Sequence, residues 1–390
     1  MEQLMEQMET VNKDVGMYKN FVRFGDLFDY ENKSKIKAGE GLAVGEYPFY
    51  TSSSVLSKFL DDYTFDKTSL IFGTGGNASI HYCESPFSVS TDCLVVFAKD
   101  ETICFPKFVF YYLFGNINLL EEGFKGAGLK HISKGFINDL EIPLPPLPIQ
   151  KRIAEILDAA DALKRKDQEL LKKYDELAQA IFIDMFGDPV KNEKGWEVKK
   201  LKEISIKITD GTHYSPPNQP SGIPYITAKH LKQDLIDFYC NPTYISQKDH
   251  EEIFSRCTPV RGDILYIKDG ATTGIAAVNE YDFEFSMLSS LALIKPRKDS
   301  LNSYFLSCYL NNENVKKELI RSYMAGAAIK RFTLDKINKF DIMLPPIELQ
   351  NSFETRWKKI RQSILAVKNS KSNNLFQTLI QKAFKGELVK

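Results

Sequence analysis

Several residue classes and signatures are scarce in this chain of 390 residues, and each scarcity removes a class of protein. Net charge is absent, since 51 Lys and Arg face 51 Asp and Glu, so composition alone points to no polyanion and no membrane surface. Long apolar runs are also absent. The stretches 108–114 and 93–98 fall far short of the roughly 18 to 20 residues that span a bilayer. Residues 1–15 carry Glu2, Glu6, Glu9 and Asp14 and lack a basic start and an apolar centre, so no secretory signal is expected and a cytoplasmic location is. The six cysteines (Cys83, Cys93, Cys104, Cys240, Cys257 and Cys308) form no CxxC, which argues for reduced, mostly buried thiols rather than a metal or disulfide framework. No GxxxxGK[ST] phosphate loop and no HExxH is present. His81, His131, His213, His230 and His250 are dispersed. The segment 69–78 runs into GxGxxA, but the alternation of Ile80-His81-Tyr82-Cys83 and the Pro at 86 replace the helix that a dinucleotide site requires.

What is present is a repeat. Ile137-Asn138, Ile142, Leu144-Pro145-Pro146 and Gln150 recur at Ile337-Asn338, Ile342, Leu344-Pro345-Pro346 and Gln350, each offset by 200. Lys130 and Lys330 keep that register, while Leu70, Gly75 and Ile80 match Leu265, Gly270 and Ile275 at 195, and Phe87-Ser88 match Phe285-Ser286 at 198. A drifting offset is what loop insertions in a duplicated domain produce. Each half has the same order, a mixed α/β part, the LPP punctuation and a long polar helix. The pattern divides the chain into an N-terminal helical segment (1–19), a first domain (20–144), a central spacer helix and linker (145–194), a second domain (195–344) and a C-terminal spacer helix (345–390).

The helices follow from spacing. Ile149, Ile153, Ile156, Ala160 and Leu163, then Leu170, Tyr174, Leu177, Ile181 and Met185, recur three or four residues apart before the Gly187–Pro189 stop; Leu349, Phe353, Trp357, Ile360, Ile364 and Val367, then Leu375, Leu379 and Ala383, do so after Pro346, with Lys371, Asn373 and Asn374 interrupting the middle. A helix of roughly 38 residues, about 57 Å long, with only a narrow apolar seam needs a partner helix. The expected fold class is α+β: two similar mixed α/β domains separated by a pair of long antiparallel coiled-coil helices, with an internal pseudo-two-fold repeat. Two related domains on a rigid spacer suit a bipartite duplex DNA target, or a scaffold that docks two polypeptides.

Particular residues narrow this choice. The block 142–163 (IPLPPLPIQKRIAEILDAADAL), its echo 342–350 (IMLPPIELQ), Ile208-Thr209-Asp210-Gly211-Thr212-His213 with Pro216, Gly222-Ile223-Pro224-Tyr225-Ile226, and Arg261-Gly262-Asp263-Ile264-Leu265 followed by Gly270 and Gly274 resemble the specificity (S) subunits of type I restriction-modification systems. The resemblance covers nearly the whole chain. It implies that each domain is a target recognition domain reading half of a split DNA sequence, while the helices set the unread spacer and dock methyltransferase (M) subunits, two of them, and through them restriction (R) subunits. Asn351-Ser352-Phe353-Glu354-Thr355 stands where Lys151-Arg152-Ile153-Ala154-Glu155 stands in the first copy, a departure from the usual helix opening. LPPL and LPPI are not the Asn-Pro-Pro-aromatic motif of adenine methyltransferases. The chain is therefore expected to be non-catalytic and to hold no cofactor or metal, with S-adenosylmethionine, ATP and Mg on partner subunits.

Side-chain chemistry then selects candidates. Arg and Lys suit guanine and phosphate, Asn suits adenine, and Ser, Thr and Tyr suit either. In turns of the first domain these are Tyr50, Ser52, Ser53, Ser54, Lys58, Thr74, Asn77, Lys125, Lys130 and His131; in the second they are His213, Tyr214, Lys229, His230, Lys268, Thr272, Thr273, Lys330 and Arg331. Tyr50 and Tyr225, each near a Pro in an apolar run, are equally suited to a core. Spacer and partner-docking candidates are Leu144, Pro145, Pro146, Gln150, Ile153, Ile156 and Leu163, with Leu344, Pro345, Pro346, Gln350, Phe353, Trp357 and Ile360.

Overall fold

The computed structural model describes residues 20–126, 130–324, 331–370 and 372–389, so the expected N-terminal helical segment lies outside the described residues. The chain forms two compact units. One contains residues up to Glu169 together with 370–390; the other contains Leu170–Asn369.

In the first unit, four antiparallel strands lie in the order β2 (Phe28–Tyr30), β8 (Cys93–Ala98), β5 (Ser69–Gly73), β6 (Ser79–Cys83). A second sheet has the order β4 (Phe59–Leu60), β3 (Tyr47–Tyr50), β7 (Ser88–Val89), with β3 and β7 parallel. A two-stranded ribbon of β1 (Phe21–Arg23) and β9 (Glu141–Pro143) closes the domain. Strand β5 is buried on both faces, so it reads as a continuous apolar run. Leu70 and Phe72 point into a core with Phe24, Phe28 and Phe108, whereas Ile71 points into a second core with Phe65, Phe87 and Val95.

The second unit repeats this plan. Its sheets run β11 (Ser205–Asp210), β19 (Leu291–Pro296), β16 (Ile264–Ile267), β17 (Ala276–Val278), then β15 (Tyr244–Ile245), β12 (Ile223–Ile226), β18 (Ser286–Met287), and β10 (Glu197–Lys200) with β20 (Asp341–Leu344). The parallel pair recurs as β12 with β18. Its added segment includes a hairpin, β13 (Leu231–Lys232) and β14 (Leu235–Ile236), which with the helix Gln247–Phe254 accounts for the greater length.

The LPP block has a structural cause. Pro146 and Pro346 start the helices Leu147–Phe186 and Ile347–Lys368, and one turn in sits a glutamine with no solvent exposure. Gln150 Oε1 accepts from Phe105 N at 2.8 Å, and its Nε2 donates to Ile103 O at 2.9 Å and Pro145 O at 2.8 Å. Gln350 repeats the clamp with Asn302 N, Ser300 O and Pro345 O at 2.9, 3.1 and 2.7 Å. Each side-chain amide thereby pins its helix to the loop ahead of a flanking helix, Pro106–Gly115 or Ser303–Asn311.

Each unit also contains an antiparallel helix pair, but the C-terminal spacer is not one helix. It breaks into Ile347–Lys368 and Ser372–Phe384. The polar residues Asn369, Ser370 and Ser372 compete for backbone hydrogen bonds there, and Ser370 Oγ donates to the Asp167 carboxylate. In the first unit Lys164 sits over the Phe376 ring, and Ile153, Ala154, Leu157 and Ala160 share a core with Phe376, Leu379 and Ile380. In the second, the Phe182 and Phe186 rings lie 5.5 and 5.4 Å from Phe353. Between these anchored ends Leu163, Leu170 and Leu177, expected to continue the seam, are 39, 38 and 45% exposed.

Candidate nucleic-acid interface

In the first domain one backbone carbonyl gathers two loops. Asp92 O accepts from Ser52 Oγ at 2.8 Å, from Thr74 Oγ1 at 2.9 Å and from Thr74 N at 2.8 Å. The loops touch because residue 73 is glycine: a Cβ there would lie 2.2 Å from Ser79 Oγ and 2.8 Å from Ser52 Cα. Gly76, at φ 84°, completes the β5–β6 turn. A third segment joins through Ile132 N to Thr74 O at 3.2 Å and His131 Nδ1 to Thr74 O at 3.0 Å, and His131 pairs through its backbone with Lys125. Ser52, Ser53, Thr74, Asn77, Lys125, Lys130 and His131 are thus brought to one place, with Ser53, Ser54, Asn77, Lys125, Lys130 and His131 exposed. His81, which sequence reasoning set aside, supports the cluster through Nε2 to Ser53 O at 2.8 Å.

Two first-domain candidates fall elsewhere. Tyr50 is buried in the core against Phe87 and His81, and desolvation holds its hydroxyl well above the usual phenol range. A β-strand residue beside a proline faced inward because the neighbouring parallel strand needed an apolar partner. Lys58 turns back to donate to Ala38 O at 2.5 Å, away from the cluster.

The second domain builds the equivalent cluster on the same link, since Phe332 N donates to Lys268 O at 2.9 Å as Ile132 N does to Thr74 O. Thr272, Thr273 and Arg331 belong to it, and Thr273 Oγ1 donates to Gly270 O at 2.7 Å within the turn. The 210–214 segment is laced to 287–289 by Thr212 N to Met287 O at 2.9 Å and Ser289 N to Thr212 O at 2.8 Å. Gly211 permits this, because a Cβ would sit 1.8 Å from Met287 O. Lys268 is mostly buried in an ion pair with Asp210 at 3.2 Å, and the exposed His213 ring approaches the same carboxylate at 3.7 Å. Tyr214 is 42% exposed beside it. Lys268 therefore acts on Asp210 rather than as a free surface cation.

Lys229 and His230 stand apart. His230 has no exposure; its Nδ1 accepts from Thr227 N at 3.0 Å, so the other ring nitrogen, 2.8 Å from Asn241 O, carries the proton and donates. Both polar atoms are satisfied internally, and burial lowers its pKa, so it is a neutral core histidine and not a DNA contact. Lys229 donates to the Asn241 side chain at 3.3 Å. Lys330 lies outside the described residues.

The docking candidates need the same correction. Gln150, Ile153, Gln350, Phe353, Trp357 and Ile360 are buried within their own units, and Pro145 and Pro345 lie beneath the clamp. An apolar seam with a buried glutamine was spent on fixing each helix to its domain. Leu144, Leu344 and Ile156 are half-buried, and Pro146, Pro346 and Leu163 are exposed. The outward face instead carries Lys151, Arg152 and Glu155 in one copy and Asn351, Ser352 and Thr355 in the other.

The clusters offer hydroxyl, amide, imidazole, ammonium and guanidinium groups on turns backed by sheet, a set suited to hydrogen bonding with base edges and phosphates. Among the described residues no three His, Cys, Asp or Glu side chains group as metal ligands would. Cys83, Cys93, Cys104 and Cys257 are buried, with burial pushing the Cys93 thiol up to about 11 and those of Cys104 and Cys257 up to about 12. Among the described residues no helix is long and apolar enough to cross a membrane.

A duplicated α/β domain carrying the same polar loop cluster twice defines a class of paired recognition modules. Residues 18–173 and 193–375 match the type I restriction modification DNA specificity domain, and the chain belongs to that family. It is 26% identical to the type I restriction enzyme MjaIX specificity subunit of Methanocaldococcus jannaschii over 72% of this chain and 66% of that protein. It is 25% identical to the EcoBI specificity subunit of Escherichia coli over 87% of this chain and 77% of the relative. The crystal structure of a type I restriction-modification S subunit from M. genitalium shares the fold, with a TM-score of 0.69 at 15% identity over 97% of this chain and 98% of the other. The mixed helix and sheet composition and the long central helix agree with the expected fold class.

Proposed function

We propose that this chain is the sequence-specific DNA-recognition subunit of a type I restriction-modification enzyme, each domain reading one half of a bipartite target. The observation that carries the reading is the duplication of the loop cluster on one backbone link, Ile132 to Thr74 and Phe332 to Lys268, within a family whose relatives are named specificity subunits. Base contacts fall to the exposed members, Ser53, Ser54, Asn77, Lys125, Lys130 and His131 in the first domain and His213, Tyr214, Thr272 and Arg331 in the second, with the half-buried Thr273 beside them. Ser52, Thr74 and Lys268 position them. The chain is non-catalytic in this reading. S-adenosylmethionine, ATP and Mg belong to two M subunits and to the R subunits reached through them, and the helices set the unread spacer. The first domain carries a formal charge of −5 over residues 20–144 and the C-terminal segment from 345 carries +6, so partner subunits supply much of the attraction to phosphate.

Two results are expected. The purified chain with its cognate methyltransferase subunits should methylate only duplexes holding a split sequence, and single-molecule sequencing of the products checks this; methylation indifferent to sequence would refute the assignment. Inserting four residues between Leu170 and Ala178 should also change the spacer, since four helical residues add about 6 Å and a base pair spans about 3.4 Å. An unchanged spacer in the methylated sites would contradict the role of the central helix as a ruler.

A further inference from the structure

A cavity in the second unit occupies a position that the first unit fills with aromatic rings. About 500 Å³ of space lies between the β13–β14 hairpin, the helix Ser303–Asn311 and the antiparallel helices of residues 170–186 and 347–368. Among its walls are Ala178, Cys308 and Asn311. The glutamine clamps align Phe105 with Asn302, and the two helix ends align Phe384 with Phe186, so the matching first-unit residues are Phe376, Tyr111 and Phe114. Those three rings pack together there, Tyr111 on Phe376 at 6.2 Å and Phe114 on Phe376 at 6.4 Å. Interiors close-pack, so a void of this size with polar walls, where a related sequence supplies rings, has the dimensions and chemistry of a ligand site.

The hairpin supplies its distinctive group. Asp234 occupies the hairpin turn at φ 58°, a conformation unusual for a residue other than glycine. Its Oδ1 accepts from Ser307 Oγ at 2.9 Å and from Asn311 Nδ2 at 2.7 Å, whereas Oδ2 has no hydrogen bond among the described residues. Asn311 is itself fixed by Ala276 N and O at 2.9 and 2.8 Å. Arg361 also lines the space, but its charge is engaged by Glu280 at 2.8 Å and it stacks over Trp357 at 5.1 Å. Asp175 adds a second carboxylate with no ion pair among the described residues, while Lys232 and Lys368 are exposed and solvated. Burial raises the Asp234 pKa, and the Ser307 and Asn311 hydrogen bonds and the more distant Arg361 charge only partly oppose it. Ile360, Ile364 and Leu365 form an apolar wall beside it.

We propose that this cavity binds an aliphatic ammonium ion, its charge on Asp234 Oδ2 and its methylene chain along Ile360, Ile364 and Leu365. Such a group could come from a free diamine or from a lysine side chain of a partner subunit. The test uses putrescine and the full chain, with Trp196→Phe as background so that Trp357 in the cavity wall is the remaining tryptophan fluorophore. Saturable binding of one putrescine per chain, seen by calorimetry and by Trp357 fluorescence, is expected. Asp234→Asn keeps the left-handed turn and the Oδ1 acceptor but removes the charge, and should weaken binding by about 10-fold or more. Ala178→Phe, which copies the first unit's Phe376, should weaken it likewise while leaving the thermal midpoint at or above that of the parent. Absence of saturable binding in the parent, or equal affinity in both variants, would overturn the proposal. If putrescine also competes with binding of methyltransferase subunits, and Ala178→Phe weakens their assembly, the natural amine is a partner lysine. Unaltered assembly identifies a free amine.

Discussion

Gln150→Leu should cost the first unit about 2–4 kcal/mol, because it takes the partner from three backbone groups at once, one buried and two half-buried. Phe105 N loses its acceptor and the carbonyls of Ile103 and Pro145 lose their donor, around a glutamine that itself has no solvent exposure. Leucine is close in volume, so the loss is one of hydrogen bonds and not of packing. For a unit of this size the change corresponds to a fall in thermal midpoint of about 5–15 °C. Scanning calorimetry and guanidinium titration should both show it. Lys151→Leu, one residue on and exposed, serves as the control and should stay within about 0.5 kcal/mol. Gln350→Leu should act with the same size on the second unit, since its three bonds repeat those of Gln150 within a few tenths of an ångström. A Gln150→Leu chain as stable as its control would show that the clamp is incidental to the recurrence of LPP and Gln.

That recurrence was legible because its physical cause is local. A proline pair starts the helix and a glutamine one turn later closes a cage of backbone groups, so few substitutions are tolerated in a short span. The loop clusters were legible for a different reason: turns that require Gly73, Gly76 and Gly211 mark themselves by composition, and the polar residues beside them follow. What failed was orientation. His230 and Tyr50 sit in turn-rich or proline-flanked sequence like true surface residues, yet each faces inward, Tyr50 beside the distant strand β7 and His230 between the backbone of Thr227 and Asn241. The seam from Ile153 and the residues around Trp357 read correctly as the face that meets a partner helix, but the docking role also given to them fails because that face is covered within their own unit. The membership of the last helix in the first unit and of residues 170–186 in the second could not be read from periodicity, since the stripe shows which face is apolar but not which surface receives it.

Exchanging residues 20–144 for the corresponding domain of another family member should replace one half of the recognised sequence and leave the other intact. The expected change is large, because specific DNA binding commonly exceeds non-specific binding by roughly 10³ to 10⁷. The structure adds a condition that sequence boundaries alone do not reveal. Helix Ser372–Phe384 packs against the exchanged domain, with Ile380 against the helix face at Gly115, where a Cβ would meet Ile380 Cγ2 at 2.4 Å, and Phe384 5.6 Å from Phe108. Tyr111 bonds the central helix through Asp158 at 2.7 Å. An incoming domain that lacks glycine at position 115 or the aromatic ring at 108 should fold poorly in this chain whatever its loops read. A graft that keeps Phe108, Tyr111 and Gly115 and carries the foreign loops at 51–58, 74–77 and 125–131 should therefore outperform a blind exchange in both yield and fidelity. Methylome sequencing with the grafted subunit distinguishes the outcomes. A new first half beside an unchanged second half is expected, and loss of specificity in both halves from a chain that still melts cooperatively would show that the two domains do not read independently.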